Sequence, residues 1–183
     1  MATPPVFSAG SVLTAGQMNK VGLWLLNTTT FTTQNSVNVD SVFSSDFDHY
    51  RVLISAYGSN AGVTMDMNFR TTSTDLGNVY YRRGFYWINS ATDLSGGPNT
   101  YLFLNNQTSS TNSRNLISLD IFNPNVATNT TMINHAVELQ TVFSMHLGYF
   151  VNTTTQYTGF NLNCSRNAGQ TLTGTVSTYG YRK

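Results

Sequence analysis

The stretch FDHYRVLISAYGSNAGVTMDMNFR, residues 47–70, carries the clearest pattern in the sequence and decides the fold class. From Val63 to Arg70, apolar and polar residues alternate strictly, which places the apolar side chains on one face of a β-strand. The preceding segment, Tyr50 to Tyr57, is also rich in β-forming residues. Because the GSNAG between them tolerates positive φ, the pattern predicts a β-hairpin against which other strands lay their apolar faces.

The composition extends this prediction to the whole chain. Its 183 residues include 27 threonines, 21 asparagines and 18 serines, whereas only 9% are charged and the formal net charge is +1. Threonine favours strands, and asparagine and serine favour turns and strand ends. The balance predicts a single all-β domain with many loops. It argues against a nucleic-acid-binding protein, because such proteins carry a basic stripe.

Turn signals divide the rest of the chain into short strands. The candidate strands are 23–33, 36–43, 50–57, 63–70, 78–89, 100–105, 115–122, 131–143, 145–151, 156–164 and 170–181. Many short strands with almost no helix are typical of a sandwich or barrel. The sequence therefore predicts a jelly-roll-like antiparallel β-sandwich over residues 23–183, with an open Greek-key sandwich as the alternative.

Residues 1–22 are predicted to form an N-terminal arm and a short attachment helix. The Pro4–Pro5 pair excludes helix at the start, and Thr14 and Gln17 have the spacing of a capping box for a helix over about residues 15–21. A helix this short is marginal alone, so it must dock on its own barrel, a sister subunit or a foreign protein. Its contact side chains are predicted to be Leu13, Met18, Val21, Leu23 and Trp24.

The sequence offers few candidates for catalysis or metal binding. Asp46 and Asp48 stand together before a strand, where two carboxylates could act as acid and base, but aspartate there is also ordinary turn chemistry. His135 and Glu138 would point to opposite faces of a strand, which argues against a metal ion shared with His146. We therefore predict no enzyme, no cofactor and no metal site.

The remaining sequence features concern the compartment. The single cysteine, Cys164, excludes an internal disulfide and predicts a buried thiol. No apolar run approaches the roughly 18 residues of a membrane span. The first ten residues lack the basic and apolar regions of a secretory signal. We expect synthesis in the cytoplasm and no membrane insertion.

One aromatic cluster, NVYYRRGFYWIN at residues 78–89, stands out. Strand alternation assigns Tyr81, Arg83, Phe85 and Trp87 to one face and Tyr80, Arg82 and Tyr86 to the other. If the first set fills the core, the second is exposed as a candidate interface or receptor contact, because tyrosine and arginine carry much interface energy. Three interpretations stay open: an ordinary core strand, a subunit contact in a trimer, and a receptor or glycan contact.

Three stretches resemble a group of small virion proteins of tailed bacteriophages. They are PPVFSAGSVLTAGQMNKVGLWL at 4–25, FSSDFDHYRVLIS at 43–55, and QYTGF at 156–160 followed by GTVSTYGYRK at 174–183. The VLTAGQMN segment is similar to the opening of many phage tail-fibre and surface proteins, whereas residues 71–155 match nothing in that group. The resemblance implies a virion structural role, a β-sandwich body and homotrimers.

Together these observations lead us to expect a non-enzymatic, homotrimeric surface protein of a tailed-phage virion, made in the host cytoplasm. The first expectation is a tail-fibre or spike component whose loops at 71–78, 90–99, 106–113 and 124–130 contact a host glycan or receptor. The alternative is a capsid-decoration (cement) protein. In both, the N-terminal segment binds another virion protein of the tail or capsid. A carbohydrate-binding module and a depolymerase are remote alternatives.

Overall fold

The computed structural model describes residues 10, 22–60, 63–72, 74, 77, 79–88, 90–108, 114–138, 143–164 and 169–182. Within these residues the chain forms twelve antiparallel strands. In chain order they are β1 (Leu23–Gln34), β2 (Ser36–Val39), β3 (Phe47–Gly58), β4 (Val63–Arg70), β5 (Tyr80–Ile88), β6 (Ser90–Asn99), β7 (Leu102–Thr108), β8 (Asn115–Phe122), β9 (Thr130–Glu138), β10 (Phe143–Val151), β11 (Gly159–Asn163) and β12 (Leu172–Arg182).

The strands form two sheets that pack face to face. The larger sheet has eight strands in the order β1-β12-β3-β8-β9-β10-β5-β6, and the smaller has four in the order β2-β11-β4-β7. Both contribute to one core of buried apolar residues. This arrangement confirms the prediction of an all-β chain built as a two-sheet antiparallel sandwich. The predicted arm and helix, with Leu13, Met18 and Val21, lie outside the described residues.

The predicted hairpin over residues 47–70 is wrong, although both of its strands exist. β3 pairs with β12 and β8 in the larger sheet, whereas β4 pairs with β11 and β7 in the smaller one. The chain therefore passes from the larger sheet to the smaller one between β3 and β4. In β4 the polar Thr64 and Asp66 are buried as well as Met65 and Met67. Alternation fixes which side chains share a face, but it does not say which strand lies alongside.

Residues 90–99 were predicted as a host-contacting loop and instead form β6. This strand pairs with β5 at the end of the larger sheet. The SGGPN sequence at 95–99 suggested a turn, but an edge strand tolerates glycine and proline because one side of its backbone needs no ladder partner. The turn signal therefore marked an edge of the sheet and not a break in it.

Polar groups bridge the two sheets through the apolar core. Each bridge provides a partner for a buried amide or carbonyl group, and so it favours one position of the smaller sheet on the larger. With donors first, the bridges are Phe69 N–H to Tyr80 Oη (2.9 Å), Asn134 Nδ2 to Leu104 O (3.1 Å), Asn105 Nδ2 to Asn115 Oδ1 (2.7 Å), and Tyr149 Oη to Phe103 O.

The bridge from Tyr80 can be tested by deleting one oxygen atom. Tyr80→Phe removes the acceptor of the buried Phe69 amide, so we expect the free energy of unfolding to fall by about 1–3 kcal/mol. Tyr81→Phe is the matched control: Tyr81 is 38% exposed on the opposite side of the strand, and its change should stay within about 0.5 kcal/mol. Urea denaturation of both variants measures this. Equal losses would show that the bridge does not stabilise the fold.

An aromatic cluster fills part of the core. Phe69 stacks on Tyr157 with ring centroids 4.8 Å apart, and Phe43 meets Tyr50 edge-on at 4.7 Å. Tyr157 is fully buried, and this burial raises its pKa to about 12. Removal of the phenol from water disfavours the charged tyrosinate, so the folded state holds the Tyr157 proton more tightly than the unfolded chain does.

This pKa shift predicts how stability depends on alkaline pH. The unfolded tyrosine ionises near pH 10, so the contribution of Tyr157 is complete below about pH 10 and is lost as pH rises towards 12. Tyr157→Phe keeps the ring and removes the ionisable group. Denaturant unfolding at stepped pH should show a smaller alkaline loss of stability for this variant than for the parent chain or for Tyr81→Phe. Parallel curves for all three would contradict the prediction.

A candidate interaction face on the eight-stranded sheet

The large apolar side chains that stay exposed gather on one sheet. Among the described residues nine are between 38% and 58% exposed, and all nine belong to the eight-stranded sheet: Leu23, Leu25, Leu53, Tyr81, Phe85, Leu116, Ile133, Val137 and Phe150. Their strand neighbours, such as Ile54 and Ile117, are buried in the core. The nine therefore share the side of the sheet that turns away from the core, which we call the outer face.

The strand register arranges the outer face in four rows that run across the sheet from β1 towards β5. The first row is Leu23, Tyr181, His49, Phe122, Thr131, Phe150 and Tyr81, and the second is Leu25, Tyr179, Arg51, Asp120, Ile133, Gly148 and Arg83. The third is Thr28, Ser177, Leu53, Ser118, His135, His146 and Phe85, and the fourth is Thr30, Thr175, Ser55, Leu116, Val137 and Ser144.

Two open grooves mark the outer face. One, of about 520 Å³, is lined by Leu53, Leu116 and Val137 among others. The other, of about 500 Å³, runs past Gly148 and is lined by aromatic and arginine side chains of β5 and β10. Sites for small molecules are usually enclosed and bury most of the ligand surface. Wide, shallow grooves with apolar walls suit a macromolecular partner better.

The charge on the outer face is largely balanced within the protomer. The Arg51 guanidinium donates two parallel hydrogen bonds to the Asp120 carboxylate, Nε to Oδ1 at 2.8 Å and Nη2 to Oδ2 at 2.9 Å. The hydrogen-bonded carboxylate of Asp120 raises the pKa of Arg51. The same guanidinium lies 5.9 Å from the ring centroid of Tyr181. Because these charges already satisfy one another, covering them with a partner costs less than covering an isolated charge.

Two histidines meet at the centre of the outer face. His135 of β9 stands directly opposite His146 of β10, with ring centroids 4.6 Å apart, and Phe85 lies 5.6 Å from His146. The sequence raised both histidines as metal ligands but did not place them side by side. The β9–β10 register brings the two rings together, and the sequence alone left that register undefined. Among the described residues no group of three or more His, Cys, Asp or Glu side chains gathers around a common point.

The predicted faces of β5 are reversed in the structure. Tyr80, a predicted contact residue, is fully buried, whereas Tyr81 and Phe85 are exposed on the outer face. Arg82, also a predicted contact, is half-buried with its guanidinium 5.3 Å from the ring centroid of Phe103. Aromatic residues occupy both sides of this strand, so alternation could not choose between them. The hydrogen bond from the Phe69 amide of β4 to the Tyr80 hydroxyl places Tyr80 on the core side of β5.

Three further predicted contact residues have different outcomes. The side chain of Tyr86 lies outside the described part of the chain. Leu23 and Trp24 open β1, where Leu23 is exposed in the first row and Trp24 is half-buried. Leu23 therefore lies on the outer face. This placement does not depend on which protein the N-terminal segment contacts.

The residues considered for catalysis have structural partners. The Asp46 amide donates to the Ser44 hydroxyl at 3.3 Å, and the Tyr50 hydroxyl donates to the Ser44 carbonyl at 2.8 Å. This stretch is therefore a turn that is hydrogen-bonded to β3.

The single cysteine, Cys164, is buried as predicted, and its thiol donates to the Gln170 carbonyl at 3.2 Å. Burial raises the pKa of its thiol, which disfavours the reactive thiolate.

Comparisons with known proteins add no family to this picture, since no family model and no curated protein matches the chain. Within the part of the chain that the structure describes, no helix has the length and apolar character needed to cross a membrane. The outer face carries all nine of the exposed large apolar side chains among the described residues.

Proposed function

We propose that this chain is a non-enzymatic structural protein of the tailed-phage virion surface, assembled as a homotrimer and serving as a tail-fibre or spike component. The outer face carries the proposal. Nine large apolar side chains share this one face, and a partner that covered them would remove them from water. The sequence resemblance at VLTAGQMN, residues 12–19, supplies the virion setting.

The rest of the molecule suits a passive, load-bearing role. The sheets are joined by polar bridges through the core, which favour one fixed position of each sheet on the other. Its surface is poor in charge and rich in hydroxyl and amide groups. Such groups make modest, hydrated contacts, and a symmetric array strengthens them through avidity. Host contact then falls to the loops, while the N-terminal segment holds the body on the particle.

Capsid decoration is the second candidate, because the same architecture would serve it. An N-terminal segment leading into β1, at the edge of the larger sheet, could bind a capsid shell as readily as a tail. The two candidates differ in how many sites the particle offers, and the VLTAGQMN resemblance favours the tail.

The copy number in purified particles tests the choice between tail and capsid. Quantitative mass spectrometry against the major capsid protein should give a small multiple of three, because tail fibres follow the symmetry of the tail. A value on the order of hundreds, in fixed ratio to the capsid lattice, would favour decoration. Particles that lack the protein altogether would contradict both roles.

The N-terminal segment provides a second test. A chain lacking residues 1–22 should keep the spectroscopic signature of its β body, because all twelve strands of the described residues begin at or after Leu23, and it should no longer join particles. Incorporation is measured by immunoblotting of gradient-purified particles. The full-length Thr72→Lys variant, altered at an exposed residue after β4, serves as the control. Normal incorporation of the truncated chain would contradict an attachment role for this segment.

A further inference from the structure

The outer face is large enough to hold copies of the chain together. Its rows span seven strands, so six strand spacings of about 4.8 Å and three row spacings of about 6.8 Å give a face of roughly 29 Å by 20 Å, about 600 Å². Three copies that each bury the whole face would bury about 1,800 Å² in all, spread over three contacts. That total is comparable with the roughly 1,600 Å² of one standard protein interface.

The charge on this face points to another copy as the occupant. A strongly charged partner would need complementary charge, but the main ions here, Arg51 and Asp120, already neutralise one another. A face with few unpaired charges meets an identical face with little like-charge repulsion.

Among the described residues two further cations lie at this face. Arg114 donates to the Ser55 carbonyl at 3.3 Å and lies 5.6 Å from the ring centroid of Tyr57. Arg83 is exposed in the second row, and the β1 end of the same row on a neighbour offers it the Tyr179 ring.

The two halves of the face differ in kind. On β1, β3 and β8 the strongly exposed apolar residues are all leucines, Leu23, Leu25, Leu53 and Leu116, and we call this the leucine half. On β5, β9 and β10 they are aromatic or β-branched, Tyr81, Phe85, Ile133, Val137 and Phe150, and we call this the aromatic half. Flexible leucines fill the spaces between rigid rings, so each half suits the other better than itself.

Symmetry then dictates which residues meet. An axis that runs along the strands brings rows of equal height together and sets the leucine half of one copy on the aromatic half of the next. Two copies would lie face to face, and three would close a ring. The homotrimer of the proposed function selects the ring.

We infer that the outer face is the subunit interface of this protein, with the leucine half of each copy packed on the aromatic half of the next around a three-fold axis. The inference rests on the proposed homotrimer. Thr28 of β1 and Phe85 of β5, the two ends of the third row, then face each other across the interface.

Disulfide trapping in the full-length chain tests this pairing. Thr28→Cys and Phe85→Cys are combined in one chain, where the two positions lie six strand spacings apart, about 29 Å and too far for an internal disulfide. Mild oxidation followed by non-reducing denaturing electrophoresis should give covalent trimers for the double variant. Each single variant should give no more cross-linking than the parent, in which Cys164 is buried. Covalent dimers without trimers, or monomers alone, would overturn the ring.

A charge placed on the face separates failure of this interface from failure of the proposed trimer. Leu116→Lys alters a side chain that is 53% exposed, so circular dichroism should report an intact fold, while light scattering should show trimers dissociating at concentrations on the order of 100-fold higher than for the parent. Thr72→Lys adds the same charge beside the smaller sheet and should stay trimeric. A trimer unaffected by Leu116→Lys overturns the interface and leaves the homotrimer standing. A monomeric parent chain overturns both.

Discussion

Hydrogen bonds that cross the apolar core hold the two sheets in one fixed position. Three of the four bridges involve β7, the strand at the end of the smaller sheet, whose pairing with β4 is interrupted by two register shifts. An irregular ladder leaves backbone groups to be satisfied elsewhere, and a buried carbonyl without a partner is strongly destabilising. Asn134 and Tyr149 of the larger sheet provide those partners. The outer face depends on these bridges, because the eight-stranded sheet keeps its shape only while the smaller sheet covers its inner side.

The sequence predicted much of the local structure because strand periodicity is a local property. It identified β3, β4 and β8 close to their observed bounds, and the threonine-rich composition indicated an all-β chain. It failed where the answer depended on distant residues. Alternation in β4 is the same whether that strand pairs with β3 or with β11. Because aromatic residues lie on both sides of β5, the sequence did not indicate which side faces the core. Only a tertiary contact such as Tyr80 with Phe69 settles such choices.

The candidate site was still less accessible to sequence reasoning. Its nine exposed residues lie on six strands, and each alone resembles an ordinary surface residue. Leu25 and Phe85 become parts of one face only when the register of β1, β12, β3, β8, β9, β10 and β5 is known. The pairing of His135 with His146 depends on the β9–β10 register, and residues 136–145 contain no Gly, Pro, Asn or Asp that would indicate where a turn lies.

The strand order also governs when the outer face can come into being. β12, the last of the twelve strands along the chain, lies between β1 and β3, so the leucine half stays divided until residues 172–182 have left the ribosome. Contacts between such distant parts of a chain form slowly. A nascent or truncated chain therefore cannot present the complete surface. If the outer face is the subunit interface, as we propose, copies can associate through it only after β12 has been synthesised, and strand order then sets the earliest time of assembly.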